Sequence, residues 1–260
     1  MFRPRVKTET LITLATVAVL LLAWEAVTRL RLATEVLLPS PRTVWTCFLH
    51  IQADGYKDHS LLQHLGASLG RLGAAFGLVV ATAIPLGLWS GCNSKVAAVL
   101  DPLVEFVRPL PPLAYYTLLV LWLGIENGSK ITLLALAGFP PVFIACVAGV
   151  KRVKGDLLQC ARTLGASQGQ LFLHVVFPAC LPDIFTGLRT ALGVTYSTLV
   201  AAEMVAAITG IGWMVLDASK FLRSDVIFVG IILMGLTGIL LDRALRLIEV
   251  KAVPWKEKNR

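Results

Sequence analysis

Residues 151–182 read KRVKGDLLQCARTLGASQGQLFLHVVFPACLP, and they separate two hydrophobic segments that are each long enough to cross a membrane. A polar break of about thirty residues between such segments has to lie in water, because hydrocarbon satisfies neither its charges nor its irregular backbone. Within it, Gln159-Cys160-Ala161 is followed by Gly165-Ala166-Ser167 and then by Val175-Val176-Phe177-Pro178. That order predicts a short helix, a turn in which glycine supplies left-handed backbone, a second helical stretch and a stop at Pro178. A helix-turn-helix standing out of a membrane bundle is a docking knob.

Composition places the rest of the chain in the bilayer. Apolar residues make up 56% and charged residues 15%, with a mean hydropathy of +0.75, which is more apolar surface than a soluble domain hides. The expected fold is an all-α integral membrane protein of about six transmembrane helices, each of about 20 residues. Residues 11–27 follow the cations Arg3, Arg5 and Lys7 like a signal peptide. No small-x-small cleavage site follows and further spans do, so this segment reads as an uncleaved first helix.

The remaining spans are expected at residues 65–89, 113–125, 131–150, 184–208 and 226–248. In the second, Gly66, Gly70, Gly73, Gly77 and Gly87 offer close helix packing. Residues 96–108 read as an amphipathic or half-buried helix. Arg108-Pro109-Leu110-Pro111-Pro112 then breaks the chain ahead of a short third span, which predicts shielded irregular backbone at membrane depth. The organisation expected is therefore a leader with the first helix (1–30), a polar connection (31–63) holding a short amphipathic helix near 43–51, a transmembrane core (64–250) that includes the docking loop 151–182, and a basic tail (251–260).

Charge placement orients this scheme. With the amino terminus inside, the inner side collects Arg3, Arg5, Lys7, Lys95, Arg108, Lys151, Arg152, Lys154, Arg162 and the tail cations. The outer side keeps Arg29, Arg31, Arg42, Lys57, Lys130, Lys220 and Arg223. This is the positive-inside pattern, with both termini and the docking loop cytoplasmic. The net charge of +8 then reflects topology and anionic lipid, and calls for no nucleic acid.

Several apparent motifs carry no chemistry. Residues 124–130 (GIENGSK) miss the phosphate-loop spacing, and the sequon Asn127-Gly128-Ser129 has no supporting context. The five cysteines form no C-x-x-C pair and the four histidines no ligand spacing, so neither a metal site nor a disulfide framework is expected. No G-x-S-x-G is present. The chain is not expected to be an enzyme.

The fifth span carries Thr195, Tyr196, Ser197, Thr198 and Glu203. A carboxylate in hydrocarbon costs about 2.5 to 3.5 kcal/mol on insertion scales and so faces a cavity, a partner or the interface. Two readings stay open: these groups line a translocation path, or the hydroxyls bond their own helix and Glu203 makes a structural contact. For an anionic cargo, Glu203 fits gating or structure better than binding.

The docking loop resembles the cytoplasmic loop of permease subunits of binding-protein-dependent ABC importers, whose pattern is E-A-A, three residues, G, nine residues, I-x-L-P. The spacing agrees from Gly165 to Val175 to Pro178, while Gln159, Cys160 and Phe177 depart from the usual Glu, Ala and Leu. Residues 108–115 (RPLPPLAY), 121–125 (LWLGI), 164–167 (LGAS), 186–189 (TGLR) and 197–203 (STLVAAE) resemble the taurine, sulfonate, nitrate and bicarbonate branch, over nearly the whole chain. Within that branch, residues 181–189 and 198–203 are most similar to taurine permeases. Thr117 departs, standing where relatives often carry proline.

The resemblance implies a type I importer fold with a cytoplasmic coupling helix in the bacterial inner membrane. Its implied assembly is a permease homodimer on two cytoplasmic ATPase subunits, with a periplasmic binding protein delivering substrate. ATP and Mg would bind the partner ATPase, leaving this chain without a cofactor. Coupling would fall to Gln159, Cys160, Ala161, Leu164, Gly165, Ala166, Ser167 and Pro178, and candidates for the path are Tyr115, Thr195, Ser197, Thr198 and Glu203. Taurine, alkanesulfonates, nitrate, bicarbonate or a thiamine-precursor pyrimidine all suit this architecture. A secondary transporter is expected to show inverted repeats and mid-membrane ionisable groups, and a channel or scaffold has no use for a docking loop of this spacing.

Overall fold

The computed structural model describes residues 5–255, so the leader cation Arg3 and the tail cations Lys256, Lys258 and Arg260 lie outside the described residues. Its elements are α1 (Arg5–Arg29), α2 (Pro41–Asp54), α3 (Leu61–Cys92), α4 (Ser94–Val107), α5 (Pro112–Leu123), α6 (Asn127–Arg152), α7 (Gly155–Thr163), α8 (Gln168–Leu171), α9 (Phe177–Ala206), α10 (Ile211–Lys220) and α11 (Ser224–Ala252), with a π-helical turn, Phe172–Val176, joining α8 to α9. Among the described residues, α1, α3, α6, the run from α8 through α9, and α11 are long and apolar enough to cross a bilayer. The pair α4 and α5, bent by 102°, is long and apolar enough only when taken together, which makes it a broken span or a re-entrant segment.

Local chemistry sets several boundaries. Ser60 and Gln63 form a reciprocal capping box that starts α3 at Leu61, one turn before the apolar run. Asn93 accepts from the Lys95 N–H and starts α4 at once, so α3 and α4 meet almost without a linker. Pro109, Pro111 and Pro112 then stop α4 and redirect the chain. The short third span is thus preceded by an ordered helix, α4, and the irregular backbone is confined to residues 108–111, which are exposed in this subunit rather than shielded as expected.

Two expectations are corrected. Pro178 does not stop a helix: it sits in the first turn of α9, and the Phe177 N–H reaches back to the Phe172 carbonyl across the widened π turn. The widened π turn accommodates the ring and the missing N–H, so helix runs from Gln168 to Ala206 and the polar break is shorter than its composition suggests. Likewise, Gly66, Gly70, Gly73 and Gly77 open onto empty space in the isolated subunit, and only Gly87 of that series meets a neighbouring helix. Small-residue spacing marks where a helix can be approached, not which neighbour approaches it.

The core is α6 clasped between α3 and α9. Val79, Ala83, Val142, Phe143, Cys146, Cys180, Ile184 and Ala191 fill it. The α6–α9 contact depends on Gly187, where a Cβ would come within 2.4 Å of the Ala145 Cβ. The first helix stands apart from this core. Its residues Leu11 to Leu22 are exposed, and Trp24 anchors its end by donating to the Pro39 carbonyl (3.0 Å) and stacking on Phe228.

At the end of the bundle opposite α7, α10 is tied to the α2–α3 connection. The Tyr56 hydroxyl donates to Asp217 Oδ2 (2.9 Å), and Lys57 Nζ lies 2.8 Å from the same oxygen and 4.5 Å over the Phe221 ring. Burial raises the Asp217 pKa, but the Lys57 and Tyr56 contacts outweigh it and hold the carboxyl below the ordinary 3.8. A depressed folded pKa stabilises above the unfolded value, and that contribution is lost as the pH falls below about 3.8 through the folded one. Asp217→Asn is accordingly expected to lower the thermal midpoint by a few degrees at pH 7, and the gap from wild type should close on acidification; a gap independent of pH contradicts the assignment.

Candidate functional site: a docking knob and a buried ion pair

The knob forms where the sequence places it, at the α7–α8 turn. Gly165 has φ +83°, the left-handed conformation that glycine adopts without a Cβ clash. Its N–H bonds the Arg162 carbonyl (2.9 Å) while the Ala166 N–H bonds the Ala161 carbonyl (3.1 Å), the paired bonds of a Schellman stop. Ser167 then caps α8, its hydroxyl accepting from the Gln170 N–H as Gln170 Oε1 accepts from the Ser167 N–H. Two capping devices back to back hold the two helices at a fixed angle.

No residue of α7 is buried, and Leu164 at the turn is 88% exposed. Gln159, Cys160, Gly165 and Ser167 are exposed, and Ala161 and Ala166 are half-buried. Ala161, Leu164, Gly165, Ala166, Gln170, His174 and Val175 surround an open cleft of about 470 Å³. Pro178, the remaining residue of the predicted coupling set, lies in α9 beyond the π turn and away from this surface. Arg152 Nη1 and Asp183 Oδ1, 2.5 Å apart, tie the end of α6 to the start of α9 at the root of the knob.

The path candidates do not gather on one surface. Ser197 is exposed, Tyr115 is half-buried, and Thr195, Thr198 and Glu203 are buried. The hydroxyls of Thr195, Ser197 and Thr198 donate to the carbonyls of Ala191, Gly193 and Val194 on their own helix.

Glu203 is 1% exposed and ion-paired with Arg71, itself 7% exposed, Nη1 to Oε1 at 2.7 Å. Ser68 Oγ donates to the carboxylate (2.8 Å) and the Gly212 N–H donates to Oε2 (3.0 Å). Arg71 also reaches the Thr209 carbonyl (2.8 Å), Thr209 Oγ1 (3.0 Å) and Asn127 Oδ1 (2.7 Å). The Gly210 N–H donates to His64 Nδ1 (3.1 Å), which leaves Nε2 to carry the proton toward the Tyr56 carbonyl (3.2 Å). Among the described residues no buried side-chain nitrogen or oxygen lacks a partner. The cluster pins α3, the start of α6, α9 and the α9–α10 link together.

Sequence reasoning missed Arg71, Ser68 and Asn127. The signal for Arg71 was an arginine inside an apolar span, which by itself demands a partner. Asn127, noted only as part of a sequon, spends its amide oxygen on that arginine. Lys130, counted with the outer loops, is buried and caps the carbonyls of Ile125 and Glu126.

Residues 83–252 match the family described as binding-protein-dependent transport system inner membrane component. Over 245 residues the chain is 43% identical to the taurine transport system permease protein TauC of Escherichia coli, covering 94% of this chain and 89% of that one. It is 33% identical over 239 residues to a Bacillus subtilis protein named for aliphatic sulfonates transport, SsuC (92% and 85% covered). With the nitrate import permease protein NrtB of Synechocystis it shares 32% over 205 residues (79% and 74% covered). An all-helical bundle with an exposed helical knob, matched to that family through its core and to named permeases along most of its length, belongs to the inner-membrane permease components of binding-protein-dependent ABC importers, a non-catalytic family.

Proposed function

We propose that this chain forms the membrane path of an ATP-driven importer for taurine or a closely similar small sulfonate, carrying it from periplasm to cytoplasm by alternating access. Two copies of the chain pair around the path, two ATPase subunits receive the α7–α8 knobs, and a periplasmic protein delivers the cargo. The observation that carries the ATP-driven part is the knob itself: a rigid, doubly capped turn that buries nothing of α7 and presents Leu164 to solvent. Such a turn has no reason to be rigid and apolar unless a partner covers it. The cargo rests on the likeness to TauC. Orientation rests on the cations Lys151, Arg152, Lys154 and Arg162 around the knob, which favour the cytoplasmic side for it and for both termini.

The test is ATP-dependent taurine uptake into proteoliposomes holding this chain and its ATPase, with and without the binding protein. Uptake is expected only with all three. Stimulated hydrolysis with a different anion would keep the mechanism and move the cargo, and failure to associate with any ATPase would overturn the assignment.

A further inference from the structure

The break between α4 and α5 leaves an arginine facing a groove. Arg108 is exposed, and among the described residues its guanidinium has no hydrogen bond or ion pair. It lines a cavity of about 430 Å³ together with Ala137, Pro140, Pro141, Thr186 and Thr190, a size suited to a small molecule. Pro140 and Pro141 stand at the middle of the 26-residue α6, so the groove reaches the level of the bilayer centre when α6 spans it. A guanidinium facing lipid there is costly, whereas one facing a water-filled path is a recurrent membrane-protein arrangement.

The helices that line the groove, α6 and α9, carry acceptors. Thr186 Oγ1 donates to the Pro182 carbonyl (2.9 Å) and Thr190 Oγ1 to the Thr186 carbonyl (3.0 Å). With their protons committed to the helix, both hydroxyls present lone pairs. Pro140 and Pro141 have no N–H, which frees the carbonyls of Leu136 and Ala137 from their usual helical donors. Arg108 also borders a smaller groove of about 270 Å³ that bears Asp101, Glu105 and Lys151, of mixed charge, whereas in the larger groove Arg108 is the one charged side chain of the lining. One fixed cation, a separate set of acceptors and apolar ground between them mirror a short zwitterion with an anionic head and an ammonium tail.

We infer that this groove is where a small ω-aminosulfonate is held during passage, Arg108 taking the sulfonate and the Thr186 and Thr190 hydroxyls facing the ammonium. The inference deepens the importer reading above and rests on it for the identity of the cargo. In the reconstituted complex with ATPase and binding protein, Arg108→Gln is expected to cut taurine uptake by about tenfold or more, while Arg108→Lys keeps most of it. Thr190→Val is expected to cost several-fold. Co-purification with the ATPase serves as the check on folding for each.

A second measurement does not depend on transport. With Cys92 and Cys160 changed to serine, Thr190→Cys is expected to react with water-soluble thiosulfonate reagents. The sulfonate-bearing anionic reagent should outpace the cationic one, and millimolar taurine should slow both. Adding Arg108→Gln should abolish the anionic preference. Normal uptake by Arg108→Gln, or a Thr190→Cys thiol that no aqueous reagent reaches, would overturn the site. Absence of taurine import by the wild type, together with the anionic preference and taurine protection at Thr190→Cys, would overturn the importer reading and leave the site standing.

Discussion

Gly165→Asp is expected to remain in the membrane and to abolish ATP-driven uptake. At φ +83° a residue with a Cβ is strained by about 1–2 kcal/mol, which a six-span bundle withstands, since nothing in the core touches the turn. The large effect comes from position: the Schellman bonds set the angle at which α7 leaves α8, and the knob, proposed above to fit a partner's groove, loses that fit when the angle changes. The added carboxylate also sits beside Leu164, on the surface proposed to meet the ATPase. Gly165→Asn separates the causes, because asparagine tolerates left-handed backbone. Near-normal uptake with Asn and none with Asp would assign the effect to the added charge at the docking surface, because the two side chains match in size, and loss with both would mean that only hydrogen fits there. Uptake at the wild-type rate by Gly165→Asp would sink the coupling assignment.

Glu203→Ala is expected to be the most destabilising single change in the membrane core. It leaves the Arg71 guanidinium buried without its counter-charge, and it strips acceptors from Ser68 and the Gly212 N–H. Breaking one side of a buried ion pair costs about 3–5 kcal/mol. At about 2–4 °C per kcal/mol for a chain of this size, the apparent thermal midpoint in detergent should fall by roughly 10 °C. Arg71→Met combined with Glu203→Leu should recover most of that loss, because replacing both charges removes the desolvation cost with the attraction. If the double variant is stable yet inactive, the pair serves to position the α9–α10 link for transport; if Glu203→Ala unfolds like wild type, the carboxylate is not the strut that its contacts describe.

Some of this was legible in the sequence because it is local. A run of apolar residues of a given length crosses a bilayer whatever its neighbours do, so the spans over α1, α3, α6, α9 and α11 followed from composition, with boundaries off by a few residues where Ser60 and Asn127 begin helices ahead of the apolar run. The Gly165 turn followed from the order of residues 159–167, since a glycine stop and a serine cap are short-range devices. The Pro178 reading failed at the same range: proline ends most helices, but a π turn supplied by Phe172–Val176 makes room for it, and no residue pattern announced that turn.

What only the tertiary structure decided lies at long range. Arg71 and Glu203 are 132 positions apart, and the sequence fixes neither which charge meets which nor that Asn127 and Thr209 complete the cage. The glycines of α3 announced close packing, yet within the subunit only Gly87 and Gly91, near its end, meet another helix. That Arg108, at the 102° bend, lines one groove with Thr186 and Thr190 could be read only from the fold. Hydropathy, capping and glycine stereochemistry act within a few residues and are written in the chain. The pairing of buried charges and the depth of a polar side chain depend on how separate helices pack, and that is settled only when the bundle forms.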